Sequence, residues 1–262
     1  MNSAKSTSTA LASILRKRLR AGEELIGIFN PYREPMFAEL LAKTGFDFAI
    51  FDGEHGLISE SDMPALVLAA EQSGCCPLVR TPSMHPRVIG RHLDFGAQGV
   101  VAPMINTKDQ AAELLSSCLY PPEGARGLAY TRSLGFGLDG SVADAMVRSN
   151  RDVLTVAQVE TRLAMENLPD ILQLERLDMI FVGPADLSVS LGVPLQFDHP
   201  KFVQALASIA AQTLKAGKYV GVLIGDPQQI GPLRQMGFRF YACYADTLIA
   251  SAGRDLLTTL RA

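Results

Sequence analysis

Eight short apolar runs, spaced along the whole chain, constrain its fold more than any other feature. Each run is rich in residues such as Val, Ile and Phe, as fully buried parallel strands are. The runs cover residues 25–29, 46–51, 77–80, 98–102, 153–159, 178–182, 219–223 and 238–242. Leu, Ala and Ile recur at helical spacing between them, at 33–43, 61–73, 107–118, 161–174, 200–216 and 226–236. This alternation of eight strands with helices predicts an α/β fold, the (β/α)8 TIM barrel.

A doubly wound open sheet is the main alternative to the barrel. That fold more often carries a glycine-rich phosphate-binding turn after its first strand, whereas this chain has GIFNPYREP there. A length of 262 residues suits a single α/β barrel. We therefore expect one barrel domain over residues 21–262, preceded by an N-terminal tail and a basic leading helix in residues 1–20.

The connection over residues 119–151 is far longer than an ordinary strand-to-helix crossover. Pro121, Pro122 and five glycines between residues 124 and 140 indicate an ordered excursion, which we expect over the barrel mouth. Arg126 and Arg132 lie within it, and they suggest a lid that faces an anion. Solvated surface arginines are the commoner explanation.

The charge and the cysteines exclude several classes of protein. A net charge of -3 offers no basic field for nucleic acid or an anionic membrane, so neither is expected as a partner. No apolar run approaches the roughly 18 residues that a membrane helix needs, and the first residues do not resemble a secretory signal. The four cysteines lack the paired spacing of a zinc site and are expected to be reduced. These features indicate a cytoplasmic protein.

Polar residues at the carboxyl ends of the strands are the candidates for chemistry in a barrel. The second strand runs into Asp52-Gly53-Glu54-His55-Gly56. Asp52 and Glu54, taken singly, fit a polar turn, whereas His55 favours a catalytic role because imidazole titrates near neutrality. Arg80 ends the third strand, where its guanidinium could bind a carboxylate or extend into solvent.

The fifth and sixth strands supply a candidate metal site. Side chains alternate across a strand, so Gln158 and Glu160 share a face with Leu154 and Val156, and that face is expected to be the barrel interior. Asp186 follows the next strand at the same level, although an aspartate there could also be a helix N-cap. Two carboxylates on one rim suit Mg²⁺ or Mn²⁺.

Two further observations bear on the reaction. The turn Gly183-Pro184-Ala185 could hold a substrate carboxylate with backbone N–H groups at a helix N-terminus. None of the lysines falls within a strand or at its carboxyl end, which disfavours an aldolase that forms a Schiff base. Carbanion chemistry would then depend on a metal.

Five segments carry a family resemblance. They read GFDFAIFDGEHG, PLVRTPSMHPRVIGRHLDFGAQGVVAPMINTKDQA, YPPEGARG, VAQVETRLAMENLPDIL and FVGPADLSVSLG. In this order, between about residues 24 and 250, they resemble the HpcH/HpaI family of class II pyruvate aldolases, which includes 4-hydroxy-2-oxoheptanedioate aldolase and 2-keto-3-deoxy-rhamnonate aldolase. Departures after the first strand, at Leu57-Ile58 and at TRSLGFG leave the aldehyde unassigned.

The resemblance implies a role for each candidate residue. Glu160 and Asp186 would bind a divalent cation, Mg²⁺ or Mn²⁺ or else Co²⁺. Arg80, Gln158 and the backbone of Gly183, Pro184 and Ala185 would bind pyruvate, and Arg80 would also stabilise the enolate oxygen. His55 would be the catalytic base, and Asp94 the carboxylate that raises its basicity.

The implied reaction joins the enolate of a 2-oxo acid to an aldehyde, or cleaves the product. Two alternatives remain at this stage: decarboxylation of a 2-oxo dicarboxylate at the same site, and a barrel that binds an oxo acid without turnover. The resemblance also implies a homo-oligomer, a hexamer or trimer, commonly with an exchanged C-terminal helix.

Overall fold

A computed structural model describes residues 10–261, so the predicted tail before residue 10 lies outside the described residues. Eight parallel strands form a closed barrel in chain order. The strands are β1 (Leu25–Asn30), β2 (Phe48–Asp52), β3 (Cys76–Arg80), β4 (Gly99–Ala102), β5 (Leu154–Val159), β6 (Met179–Val182), β7 (Tyr219–Ile224) and β8 (Phe240–Tyr244). Each of the eight predicted strands is present, with ends within two residues of the prediction.

Helices surround the barrel and also precede it. They are α1 (Leu11–Arg20), α2 (Pro35–Lys43), α3 (Met63–Gln72), α4 (Pro86–Asp94), α5 (Lys108–Cys118), α6 (Val142–Asp152), α7 (Arg162–Glu166), α8 (Leu168–Ile171), α9 (Pro184–Ser190), α10 (Pro200–Lys215), α11 (Ile230–Gln235) and α12 (Ala245–Arg261). Short 3₁₀ helices cover Arg132–Gly137 and Pro227–Gln229. The helix predicted over 161–174 is divided at Asn167, because Pro169 cannot continue the hydrogen bonding of α7 and instead lies in the first turn of α8.

Alternate residues of each strand fill the barrel interior. Phe48 and Phe240 stack there with ring centroids 3.7 Å apart. Gly27 is the register partner of Phe48 on the neighbouring strand, and a Cβ atom at this position would overlap the Phe48 ring. The glycine on β1 therefore makes room for an aromatic pair in the middle of the barrel.

The leading helix α1 closes the amino-terminal end of the barrel. Its buried side chains, Ala12, Leu15 and Leu19, pack with the interior cluster of the strands. Arg16 forms an ion pair with Asp178 at 3.0 Å, just before β6. The predicted basic helix is present, and one face of it is a packing surface.

The prediction that residues 119–151 cover the barrel mouth is wrong. The segment follows α5, and a helix that leaves the mouth ends at the opposite, amino-terminal end of the strands. Arg132 pairs there with Glu71 near the end of α3, and Arg126 pairs with Asp94, the last residue of α4. Both arginines have carboxylate partners in this chain, so they do not form a lid over the mouth.

Two further features of the described residues concern the membrane and the thiols. Among residues 10–261, none of the helices combines the length and apolar character that crossing a membrane requires. All four cysteines are free, and burial raises the pKa of Cys75 and of Cys118 to about 12. These two buried thiols are therefore protonated at neutral pH and contribute apolar packing.

The tight contact at Gly27 gives a prediction about stability. Gly27→Ala places a methyl group against the stacked Phe48 ring, and overpacking of this kind costs about 1–3 kcal/mol of unfolding free energy. Urea unfolding followed by circular dichroism measures the change. Gly90→Ala is the matched control, because Gly90 lies in α4 with no atom within 4 Å of an added Cβ, and it is expected to stabilise by about 0.5–1 kcal/mol. Equal unfolding free energies for the two variants would contradict the packing argument.

Candidate active site

A buried ion pair between β2 and β3 lies at the carboxyl end of the barrel. Arg80 Nε donates to Asp52 Oδ1 at 2.9 Å, and Arg80 Nη2 donates to Asp52 Oδ2 at 2.7 Å. The two residues are register partners, and their side chains are only 4% and 2% exposed. The parallel hydrogen bonds fix the plane of the guanidinium, which also lies 4.8 Å from the centre of the Phe29 ring. Arg80 is thus a buried, oriented cation, and it does not extend into solvent.

Asp52 also organises the turn that follows β2. Its Oδ1 accepts hydrogen bonds from the backbone N–H groups of Glu54, at 3.1 Å, and His55, at 3.2 Å. The Glu54 carboxylate then reaches Arg80 Nη1 at 3.1 Å. The His55 side chain is 68% exposed, with Nε2 3.9 Å from Glu54 Oε2. One aspartate therefore determines where the arginine, the glutamate and the histidine lie.

Gln158 and Glu160 project upward from β5. Leu154 and Val156 lie below them in the barrel interior. Gln158 Nε2 donates to Glu160 Oε2, and Met104 N donates to Glu160 Oε1 at 2.8 Å. Gln158 Oε1 is buried without a hydrogen-bond partner. An amide oxygen without a partner beside a buried carboxylate is suited to receive a ligand.

The environment of Glu160 favours a cation. Burial raises the pKa of Glu160, against the hydrogen bonds from Met104 and Gln158, and the charges of Asp186 and Glu54 raise it further. Asp186 is exposed in the first turn of α9 and is not the N-cap, because Gly183 holds that position. A divalent cation between Glu160 and Asp186 would offset both burial and carboxylate repulsion.

Two carboxylates give only part of a coordination sphere. Within the described range 10–261, no group of three or more His, Cys, Asp or Glu side chains is arranged to hold a metal ion. A hard cation that used Glu160 and Asp186 would take its other oxygen ligands from water and substrate. Such a site leaves positions for a chelating small molecule.

Gly183 allows the approach of β6 to these side chains. A Cβ atom on Gly183 would collide with Glu160 Oε2 and would lie 2.8 Å from Gln158 Nε2. Pro184 has no N–H group, so the donors at the start of α9 belong to Ala185 and Asp186. Of the three residues predicted to bind substrate through the backbone, Pro184 therefore has no N–H group, whereas Gly183 and Ala185 each have one.

Asp94 is not near His55 within one chain. Asp94 ends α4 at the amino-terminal end of the barrel, whereas His55 follows β2 at the mouth. The Asp94 Oδ1 atom accepts from Arg126 Nη2 at 2.7 Å, and Arg126 stacks on Tyr120 with its guanidinium carbon 4.5 Å from the ring centre. The structure thus brings His55, Arg80, Gln158, Glu160 and Asp186 to the mouth, and it separates Asp94 from them.

Asp52, Phe29 and Met104 belong to the site and were not predicted as site residues. Asp52 could have been found by strand alternation, because it has the same parity on β2 as the interior residues Phe48 and Ile50. Nothing in the sequence identifies Met104, whose backbone has a positive φ of 54° that is uncommon outside glycine.

The chain is similar to known proteins over most of its length. The sequence model of the HpcH/HpaI aldolase/citrate lyase family matches residues 25–251. A hydroxypyruvate/pyruvate aldolase of Roseobacter denitrificans is 35% identical over 247 residues, covering 92% of this chain and 94% of that protein. A 2-keto-3-deoxy-L-rhamnonate aldolase of Salmonella paratyphi B is 32% identical, covering 94% of this chain and 91% of that protein.

A solved structure has the same architecture. The HpcH/HpaI aldolase/citrate lyase family protein from Burkholderia cenocepacia superposes with a TM-score of 0.89 at 31% identity. The superposition covers 95% of this chain and 99% of that one.

The buried ion pair gives a second prediction about stability. Asp52→Ala leaves the Arg80 charge buried with only Glu54 as a carboxylate partner, and loss of a buried partner costs about 3 kcal/mol or more. Glu166→Ala removes an exposed pair with Arg162 and is expected to cost less than about 0.5 kcal/mol. Urea unfolding of both variants measures the difference in unfolding free energy. Equal stability of the Asp52→Ala and Glu166→Ala proteins would contradict a buried ion pair between Asp52 and Arg80.

Proposed function

Because the chain belongs to the HpcH/HpaI aldolase/citrate lyase family, we propose that it is a divalent-metal-dependent aldolase that forms or cleaves 4-hydroxy-2-oxo acids. Membership of a family of aldolases makes it a carbon–carbon lyase. The observation that carries metal dependence is Glu160, a buried carboxylate with a raised pKa that is in no ion pair among residues 10–261. The alternative that the barrel binds an oxo acid without turnover is disfavoured, because the relatives named above are enzymes.

Glu160 and Asp186 are the proposed metal ligands. Their hard oxygen atoms, with room for water and substrate, favour Mg²⁺ or Mn²⁺, and Co²⁺ is also compatible. When bound there, the cation supplies Lewis acidity that makes the methyl protons of a 2-oxo acid more acidic.

The other mouth residues bind and orient the oxo acid in this proposal. Arg80 has five N–H donors, of which Asp52 takes two and Glu54 faces another, so donors remain for a substrate oxygen. Gln158 and the N–H groups of Ala185 and Asp186 surround the other side. Because Asp52 holds the guanidinium plane in advance, Arg80 can meet negative charge that develops on the substrate without reorientation.

His55 is the proposed base. Its imidazole is exposed at the mouth beside Glu54, within the same turn that Asp52 organises. An exposed imidazole can exchange protons with solvent as well as with substrate, as a base that turns over repeatedly must.

Removal of the metal tests the proposal. EDTA-treated protein is expected to lose aldol cleavage of a 4-hydroxy-2-oxo acid and to regain it with Mg²⁺ or Mn²⁺. Glu160→Ala is expected to weaken Mn²⁺ binding in calorimetry by more than about tenfold, because even outer partners of metal ligands contribute that much. Glu175→Ala, an exposed carboxylate just before β6, is the control and should bind Mn²⁺ normally.

Two outcomes would contradict this proposal. Full activity after EDTA treatment would exclude a metal-dependent reaction, and unchanged Mn²⁺ affinity in Glu160→Ala would locate the cation elsewhere. Release of pyruvate from oxaloacetate, with no aldol product when aldehyde is supplied, would favour decarboxylation at the same site.

We also propose that the protein is a homo-oligomer and that α12 contributes to its assembly. Ala245 is the one buried residue recorded in this helix, and its other apolar side chains are exposed. Those side chains include Leu248, Ile249, Leu256, Leu257 and Leu260. An amphipathic helix with an uncovered apolar face is suited to pack against another subunit. In a hexamer or a trimer, α12 of one subunit would pack in this way against a neighbouring subunit.

The proposed role of Asp94 then requires a neighbouring subunit. Asp94 and His55 lie at opposite ends of one barrel, so the carboxylate could raise the basicity of the imidazole only from a second copy of the chain. The Arg126 partner holds Asp94 in position at the edge from which it would act.

Mixed oligomers test subunit sharing. Co-expression of His55→Ala and Asp94→Ala chains is expected to restore aldolase activity, because some sites combine an intact His55 with an intact Asp94. Co-expression of His55→Ala with Glu160→Ala is the matched control, since both residues lie at the same mouth and no site would be intact if each mouth uses its own chain. Equal activity in the two mixtures, or a monomer in light scattering, would contradict the shared site.

A further inference from the structure

Tyr244 ends β8 at the barrel mouth, and neither the motifs nor the proposed mechanism gives it a role. The ring packs against the interior cluster, with its centroid 5.3 Å from that of Phe29. Phe29 in turn lies under the Arg80 guanidinium at 4.8 Å. Tyr244, Phe29 and Arg80 therefore form one continuous surface on the β8, β1 and β3 side of the mouth, which we call the aromatic wall.

The Tyr244 hydroxyl belongs to the same surface. Burial raises its pKa, and the positive charge of the Arg80 guanidinium acts in the opposite direction. A guanidinium has donors only, so Arg80 cannot accept a hydrogen bond from the phenol, and the Tyr244 O–H can donate to a ligand.

Two other tyrosines have hydroxyl groups that bond to backbone oxygens. Tyr219 donates to the backbone oxygen of Arg16, and Tyr241 donates to the backbone oxygen of Phe238. Both hydroxyl groups therefore donate their hydrogen bonds within the protein. Tyr244 is half-buried, and its phenol lies near enough to Arg80 for the guanidinium charge to lower its pKa.

We propose that Tyr244 determines which aldehydes the site accepts: its ring limits the space beside Arg80 to short aldehydes, and its hydroxyl donates a hydrogen bond to the aldehyde oxygen. The inference rests on the proposed aldolase function. Gln158 and Glu160 lie at the end of β5 and Asp186 at the start of α9, so the 2-oxo acid would lie between these residues and Arg80. The space beside Arg80 that the oxo acid leaves would be bounded by Phe29 and Tyr244, and the second substrate would approach along these two rings.

The hydrogen bond has a chemical purpose in the aldol step. As the enolate carbon forms its bond to the carbonyl carbon of the aldehyde, the π electron pair moves onto the aldehyde oxygen and creates an alkoxide. A donor at that oxygen stabilises the charge, and the alkoxide then takes a proton to become the 4-hydroxyl group. Tyr244 contacts the substrate as a hydrogen-bond donor, and His55 remains the residue that moves protons.

Two variants separate the ring from the hydroxyl. Tyr244→Ala opens the wall, so kcat/KM for benzaldehyde relative to glycolaldehyde is expected to rise by roughly tenfold, the effect of about 1.4 kcal/mol. Tyr244→Phe keeps the ring and removes the donor, so kcat/KM for glycolaldehyde is expected to fall by roughly five- to tenfold. Tyr219→Phe, at the opposite end of the barrel, is the matched control and should change neither value.

Proton exchange between pyruvate and D₂O, followed by NMR with metal present and aldehyde absent, distinguishes the two proposals. Absence of exchange in the wild-type protein would mean that the proposed function fails. Exchange in the wild type and in both variants, with aldehyde ratios identical to that of Tyr219→Phe, would overturn the role of Tyr244 alone. Loss of exchange together with every aldehyde activity in Tyr244→Phe would show that Tyr244 only supports Arg80, which also overturns the proposal.

Discussion

The mouth of this barrel depends on the ion pair between Asp52 and Arg80. Two parallel hydrogen bonds between nearly inaccessible side chains neutralise a charge that could not otherwise be buried. The same aspartate holds the N–H groups of the turn that carries Glu54 and His55. The buried pair orients the site, because it fixes the Arg80 cation, the proposed base His55 and the Glu54 carboxylate relative to one another.

Glu160, on the far side of the mouth, differs from Asp52 because no ion pair among residues 10–261 neutralises its carboxylate. Its carboxylate has only neutral donors, and burial, followed by the charges of neighbouring carboxylates, raises its pKa. The Asp52 carboxylate is therefore neutralised by a cation of the protein, whereas the Glu160 carboxylate has only neutral hydrogen-bond donors. This contrast places a buried cation on one side of the mouth and an unpaired buried carboxylate on the other, which is the arrangement that the proposed binding of a metal and a chelating 2-oxo acid requires.

The two ends of the barrel also differ in a way that bears on assembly. The mouth carries the proposed metal and substrate residues, whereas α1, residues 119–151 and the pair of Arg126 with Asp94 lie at the other end. The exposed apolar face of α12 adds a surface that one chain does not cover. A homo-oligomer that brings opposite ends of two barrels together would unite these features in one site.

The amino-acid sequence by itself determined the barrel, the order of its strands and the inward direction of Gln158 and Glu160. The alternation of side chains along a strand and the spacing of apolar residues are local properties, so they do not depend on how the eight units pack against one another. Only the tertiary structure decided that residues 119–151 lie away from the mouth, that Asp94 is far from His55, and that Asp52 and Tyr244 flank Arg80. These are contacts between residues distant in the chain, and their geometry depends on barrel closure and on which end of a helix a loop follows. Local patterns identified the chemistry that is available, and long-range packing decided which groups meet.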